Sequence, residues 1–296
     1  MSPEIKCGDL ILKLDLGQPS AKAQEKALQE LRETPENIEN GLKQLQILLE
    51  AETDLYIPQT NVEWLMKFLR ACKFYPESAR DLVKRYYNIR RKYTEITKDL
   101  TPPKLKHVFD ANLVTILPQR DQDGRRIVVT VSAGKPWNYK VIPHENVYAA
   151  STLCTELIQL EQETQINGVV YIVDLHDLSI SQALQFTPYR MKRVLDYIQN
   201  NIPLRVKGLH VVNQPKIFEP IFATIKIFFN KKFNERIILH GTNYASLHRY
   251  ISPDCLPECY GGTLKTKLMY GPETYELLSH YQEYLEGLEK YGFKKD

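Results

Sequence analysis

No stretch of this 296-residue sequence approaches the roughly 20 consecutive uncharged apolar residues that cross a bilayer as a helix. The opening MSPEIKCGDLILKLDLG lacks a basic segment followed by an apolar core and a small-residue cleavage site, so no secretory leader is expected. A strong charge of either sign is also missing. The net charge of +3 is too small to argue nucleic-acid binding from bulk attraction, so any basic surface must be local. Cys7, Cys72, Cys154, Cys255 and Cys259 are odd in number, and their spacing suggests no disulfide framework. Gly-x-Ser-x-Gly, Gly-x-x-x-x-Gly-Lys-Ser/Thr and Gly-x-Gly-x-x-Gly are all absent, which removes the readiest hydrolase, phosphate-loop and dinucleotide signatures. These absences lead us to expect a cytoplasmic protein that is not an enzyme, holds no cofactor and binds no nucleic acid.

What is present first reads as helices. Hydrophobic residues make up 43% of the chain, enough for a full core. Ala21 to Arg32 is charged, with Ala27, Leu28 and Leu31 on one side. Thr34-Pro35-Glu36 combines a capping hydroxyl, proline at the first helical position and an acid in the first turn. The helical stripe Ile38, Leu42, Leu45, Ile47, Leu48 and Leu49 follows. Asn61 to Cys72 predicts a short helix with Trp64, Leu65, Phe68 and Leu69 inward, and Tyr75-Pro76-Glu77 opens another with Leu82, Val83, Tyr86 and Tyr87 apolar.

After Thr101-Pro102-Pro103 the character changes. Ile127–Val131 follows the turn at Asp121–Gly124 and predicts a strand. Val169–Val173, Val206–Val212 and Ile237–Leu239 predict three more. Helical segments lie between and after them, at Pro143–Gln165, Gln182–Gln199, Ile217–Phe229 and Glu273–Tyr291. Nearly continuous apolar strands alternating with helices argue an α/β fold with a mostly parallel sheet covered on both faces.

The segment Lys216–Asn230, KIFEPIFATIKIFFN, is too apolar for an ordinary surface helix. Ile217, Ile221, Ile225 and Phe228 make one stripe; Phe218, Phe222 and Phe229 make a second. A buried core helix explains this; so does a mobile lid over a greasy cavity, loosened by Pro220. Basic residues bracket the segment. Arg205 and Lys207 alternate to one side of a strand, and Lys232 and Arg236 are one helical turn apart. In the segment Pro143–Gln165, Tyr148, Ser151, Thr152 and Thr155 run beside an apolar stripe. They suit a pocket that anchors one polar group of an otherwise apolar ligand, or they bond back to the preceding turn.

Two enzyme-like constellations compete with that reading. Asp174, His176 and Asp177 follow a strand, where α/β enzymes place catalytic groups, but such a trio more often caps a loop. His240, His248, Cys255 and Cys259 fit no familiar zinc spacing.

Ile202-Pro203-Leu204-Arg205-Val206-Lys207-Gly208-Leu209-His210-Val211-Val212-Asn213 resembles the signature of the CRAL-TRIO lipid-binding family. So does Leu256-Pro257-Glu258-Cys259-Tyr260-Gly261-Gly262 after His240-Gly241, and Phe68-Leu69-Arg70-Ala71-Cys72-Lys73-Phe74 resembles its amino-terminal helical domain. The likeness runs from about Asn61 to Gly262 and is closest to the branch that carries tocopherol and retinoids. It implies a helical domain (1–98), an α/β lipid-binding sandwich (99–262) with a gate helix (216–230), and a C-terminal helical extension (263–296). Carried over by resemblance, the ligand positions are Tyr148, Ser151, Thr155, Ile202 and Leu204, with Ile217, Phe218, Ile221, Phe222 and Ile225 from the gate. A phosphoinositide cleft falls on Arg205, Lys207, Lys232 and Arg236. A further arginine of that cleft falls on Cys72, with Lys73 adjacent, and another basic position falls near Arg80, one residue out of register. The implied function is an intracellular carrier of one tocopherol-, retinoid- or carotenoid-like molecule, exchanging it at phosphoinositide-containing membranes. The alternative is a membrane-recruited interaction or trafficking module without transport.

Overall fold

The structure is a computed structural model that describes residues 2–294. Its amino-terminal half is built by well-capped helices. Thr34 Oγ1 accepts the Asn37 amide at 3.2 Å and opens Pro35–Glu50; Asn61 Oδ1 accepts the Trp64 amide at 2.9 Å and opens Val62–Ala71. These two helices and Pro76–Lys92 close over a core of Leu45, Leu49, Leu65, Phe68, Leu69, Val83 and Tyr86. The helix Ala21–Leu31 stands apart from them, burying Ala23, Ala27 and Leu31 against Ile166. Leu28, expected on its inner side, is exposed; Ala23 takes that place, because small residues let the helix approach closely.

The α/β half carries one five-stranded sheet. Its strands lie in chain order: Val114–Ile116, Arg126–Val131, Val169–Asp174, Val206–Val212 and Ile237–Gly241. The first pair is antiparallel and the other three are parallel, each joined by helical crossovers. Every residue of Arg126–Val131 is buried, as expected for a strand covered on both faces. Val114–Ile116 is too short to carry a periodic signal and was not anticipated.

Long predicted helices are divided. Pro143–Gln165 is two, His144–Ile158 and Gln162–Asn167, ending at Gly168 with φ +94°. A Cβ there would lie 2.2 Å from the Arg205 carbonyl oxygen, so only glycine lets the strand enter beside its neighbour. Gln182–Gln199 is also two, Ile180–Ala183 and Pro188–Ile198, because Thr187-Pro188 caps a fresh start. Glu273–Tyr291 divides into Gly271–His280, Gln282–Gly287 and a 3-10 turn at Leu288–Lys290. Residues 5–12, within the segment expected as a helical domain, form the hairpin Ile5–Cys7/Leu10–Leu12, whose apolar side joins the core of the sheet half. The chain's far end returns to the helices: Gly292–Phe293 pairs antiparallel with Leu55–Tyr56.

One buried carboxylate joins the two halves. Glu156, on His144–Ile158, accepts hydrogen bonds from Tyr86 OH (2.9 Å to each oxygen), Tyr197 OH (2.9 Å) and Arg90 Nη1 (3.3 Å). Tyr86 and Arg90 come from Pro76–Lys92, and Tyr197 from Pro188–Ile198. Glu156→Leu strips Tyr86, Tyr197 and Arg90 of their shared acceptor at once. It should cost about 3–5 kcal/mol in urea-unfolding free energy, the penalty typical of halving a buried ion pair; a loss below about 1 kcal/mol would mean that the junction does not depend on this group.

Candidate functional site

Strand alternation builds the floor of an apolar cavity. Side chains two apart point to one face, so Thr130 and Ser132, Tyr171 and Val173, Leu209 and Val211, and Ile237 all reach it. Tyr148, Ser151, Thr152 and Thr155 of His144–Ile158 form one wall, spaced three and four apart. Met191, Val194, Leu195 and Ile198 of Pro188–Ile198 form another. Phe218, Phe222, Ile225 and Phe229 close the top. The free volume within is about 120 Å³.

The lid is shorter than the predicted 216–230: a helix over Phe218–Ile225 and a 3-10 turn over Lys226–Phe228. Pro220 does not loosen it. Proline lies in the first turn, where amides have no intrahelical partner to lose. The phenylalanine stripe that had no obvious place faces the cavity. Phe218 stacks edge-on against Phe186 at 5.6 Å, and Phe222 meets Phe229 at 5.7 Å. The other stripe is split. Ile225 joins the cavity and Ile221 and Phe228 are partly buried against the core, whereas Ile217 is on the outside with Ile227, which is 74% exposed. Of the ten expected ligand positions, Tyr148, Ser151, Thr155, Phe218, Phe222 and Ile225 therefore line the cavity. Ile217 and Ile221 do not, and Ile202 and Leu204 line the basic cleft instead. Thr130, Ser132 and Tyr171 were missed, because their inward direction is readable only once the strand order is known.

Polar groups inside the cavity are few. Thr155 Oγ1 bonds back to the Ser151 carbonyl at 2.8 Å and lies 2.8 Å from Tyr171 OH, so its hydroxyl is spent within the protein. Tyr148 OH has a weaker partner, Met191 Sδ at 3.6 Å, and burial holds its phenol protonated. Among the described residues the Ser132 and Ser151 hydroxyls have no protein partner. Behind Tyr148 and Phe186 sits His144, at 4.4 and 4.8 Å between ring centres; burial pushes its pKa down to about 3, so it acts as a neutral aromatic support.

A second, basic cleft opens beside the lid, with a volume of about 300 Å³. Lys73, Arg205, Lys207, Lys232 and Arg236 all line it, as does Cys72. Arg85 lines it too and was missed; it lies five residues beyond Arg80 and so on a different face of the helix, while Arg80 turns away to Glu52 and Asp81. Glu30 is the carboxylate facing this cluster, 2.5 Å from Arg205 Nη2 and 3.8 Å from Lys207 Nζ. Glu30, even with Glu235 acting on Arg236, does not balance these cations. Burial, then Arg205, pushes the Lys207 pKa down to about 8 against the opposing pull of Glu30, and burial and Arg205 also lower Lys232 and Arg236. Crowded, partly desolvated cations of this kind are relieved by an anion.

The enzyme-like constellations do not assemble. Asp174 accepts from the His176 amide, Asn213 Nδ2 and Tyr260 OH and so clamps loops, while His176 and Asp177 are exposed. His240 pairs with His210 at 3.0 Å, and His248 reaches the Tyr260 carbonyl at 2.8 Å. Among the described residues no three His, Cys, Asp or Glu side chains converge as metal ligands, and no helix is long and apolar enough to cross a membrane.

A lidded apolar cavity beside a cationic cleft, on a mostly parallel sheet, defines a lipid-binding protein of the α/β class. Residues 110–262 match the CRAL/TRIO domain. The chain is 36% identical over 239 residues to the mouse (Mus musculus) alpha-tocopherol transfer protein-like protein, covering 80% of this chain and 69% of that one; the human (Homo sapiens) counterpart is 37% identical over the same shares. Clavesin-1 of Xenopus laevis is 33% identical over 242 residues, 81% of this chain and 72% of that one. The chain belongs to the CRAL-TRIO family, whose members bind and transfer lipids and are not enzymes.

Because Glu30 is what raises Lys207 against burial and Arg205, Glu30→Gln should move the Lys207 titration below about 8 in lysine-labelled NMR. An upward or absent shift would remove Glu30 as the counter-charge of the cleft.

Proposed function

We propose that this protein carries one tocopherol-, retinoid- or carotenoid-like molecule in the lidded cavity and exchanges it at phosphoinositide-containing membranes from the cytoplasm. The observation that supports this most is the juxtaposition of two unlike sites along one lid. The cavity under it is apolar with a few convergent hydroxyls, suited to a lipid that carries a single hydroxyl or carbonyl. Tyr148, Ser132 and Ser151 are the proposed anchors, and the name of the mouse and human relatives agrees with a ring-bearing lipid alcohol. A free volume of about 120 Å³ is close to the ~150 Å³ cavity that holds a benzene, so a ring with a long tail enters only as the lid phenylalanines swing away.

The cleft supplies the trigger for that motion. A polyanionic headgroup held by Arg205, Lys207, Lys232 and Arg236 draws the lid's carboxyl end to the membrane, with Lys73 and Arg85 at the rim. Ile227 and Ile217 on the lid, with Ile180 and Leu184 on the neighbouring helix Ile180–Ala183 and its cap, are exposed apolar side chains available to acyl chains. Each apolar side chain buried in lipid is worth about 1.5–3 kcal/mol, enough for reversible docking.

Arg205→Ala with Lys232→Ala should weaken binding to phosphoinositide vesicles roughly 30-fold, at about 1 kcal/mol per basic residue, and leave ligand capacity in solution intact. Loss of both properties together would overturn the separation of cleft and cavity. Phe218 faces inward, so the membrane contact is tested at Ile227 instead. Ile227→Asp should slow ligand transfer between vesicles without lowering capacity; an unchanged transfer rate would sink the membrane-touching lid. Organic extraction of the purified protein followed by mass spectrometry checks the cargo, and an interior that never yields a hydrophobic compound would leave the membrane-recruited module as the better reading.

A further inference from the structure

A third concavity, of about 640 Å³, lies among the amino-terminal helices, the turn after His144–Ile158 and the C-terminal segment. It shares no lining residue with the cavity or the basic cleft. Its size falls within the ~300–1,000 Å³ usual for small-molecule sites. The walls are largely apolar, with Trp64, Met66, Leu160, Tyr284, Leu288 and Tyr291 contributing.

Two buried cations also line it, and they differ. Arg70 is satisfied: Glu33 takes its Nε and Nη2, and Gln165 takes Nη1 at 2.7 Å. Lys67, 4% exposed, is not. Its Nζ has one long contact, 3.4 Å to Gln159 Oε1, and the faces of Phe68 and Tyr86 at 5.4 and 5.7 Å. Among the described residues no carboxylate lies within 4 Å of it. Glu156, the acid whose field it feels, is already shared by Arg90 and two tyrosines. A buried ammonium with three donors and one neutral acceptor lacks an anion. Burial pushes its pKa down to about 8, so it still carries its charge at neutral pH.

We propose that this cleft is a second ligand site, which takes a monoanionic amphiphile: a carboxylate paired with Lys67, its apolar chain lying along Leu160, Leu288 and Tyr291. The charge count sets the class. Glu63 and Lys290 also line the cleft and offset one another in net charge, and Arg70 is held by Glu33; the remaining ammonium of Lys67 balances one carboxylate, whereas a phosphate dianion would bring a second negative charge with no counterpart in that count.

The probe is sodium decanoate, with decanol as the uncharged control, titrated calorimetrically into the full chain at pH 7. Decanoate should bind saturably at one site and decanol more weakly. Lys67→Met, nearly isosteric and without the charge, should weaken decanoate about tenfold or more. Leu288→Trp, which fills the cleft and leaves the amine in place, should do the same. Ser151→Trp, which fills the lidded cavity, should leave decanoate binding unchanged. Binding that survives Lys67→Met and Leu288→Trp, that is abolished by Ser151→Trp, or that is matched by decanol overturns the site. Should Lys67→Met fail to fold, the Leu288→Trp and Ser151→Trp pair decides between cleft and cavity.

Discussion

Glu156 takes hydrogen bonds from Tyr86, Tyr197 and Arg90 in a place with almost no water, and much of the molecule's geometry hangs on that. A carboxylate buried to this degree is tolerated only when its lone pairs are filled by well-placed donors. Those donors come from two other helices, so the requirement fixes three elements against one another. One of them, Pro76–Lys92, belongs to the helical half; the other two are walls of the lidded cavity. The neighbour of Glu156 in sequence, Thr155, faces the cavity, and so does Tyr197. The helix Pro76–Lys92 thus holds the pocket's shape from behind, and of the amino-terminal helices Thr94–Thr97 reaches the cavity itself, through Ile96.

Around that junction the protein keeps two kinds of chemistry apart. The cavity has its few hydroxyls mostly spent or spaced, and its lid turns phenylalanines inward. The cleft gathers cations that repel one another, offset in part by Glu30 beside Arg205 and Lys207 and by Glu235 near Arg236. The lid segment separates them, with apolar side chains toward one and basic residues following it toward the other. In the proposed carrier this arrangement lets affinity for an apolar molecule and affinity for an anionic surface be set by different residues, which additivity favours when sites do not share partners. Membership of the CRAL-TRIO family agrees with a binding role, and the geometry says which residues of this chain are in position for it.

Much of the fold was legible because local chemistry was unambiguous. Thr34-Pro35 and Asn61 cap helices where they should, and Val169–Val173 is a strand because a run of β-branched and aromatic residues has few other ways to be buried. Errors fell where continuity was assumed. Pro143–Gln165 and Glu273–Tyr291 keep a helical pattern through breaks made by tertiary packing, and Val114–Ile116 is a strand only because Arg126–Val131 offers it an edge.

The site divides the same way. Sequence alone determined that an over-apolar segment lies between basic residues, since both properties belong to the side chains themselves. It also placed Tyr148, Ser151 and Thr155 on one wall, because helical spacing is local. Tertiary structure alone decided that Phe218, Phe222 and Phe229 face a cavity while Ile217 and Ile227 face outward, that Ile202 and Leu204 belong to the cleft, and that Arg85 rather than Arg80 reaches it. Those choices depend on how elements distant in sequence stack, and an apolar side chain has no local signal that distinguishes a pocket from a core or a core from a membrane-facing surface.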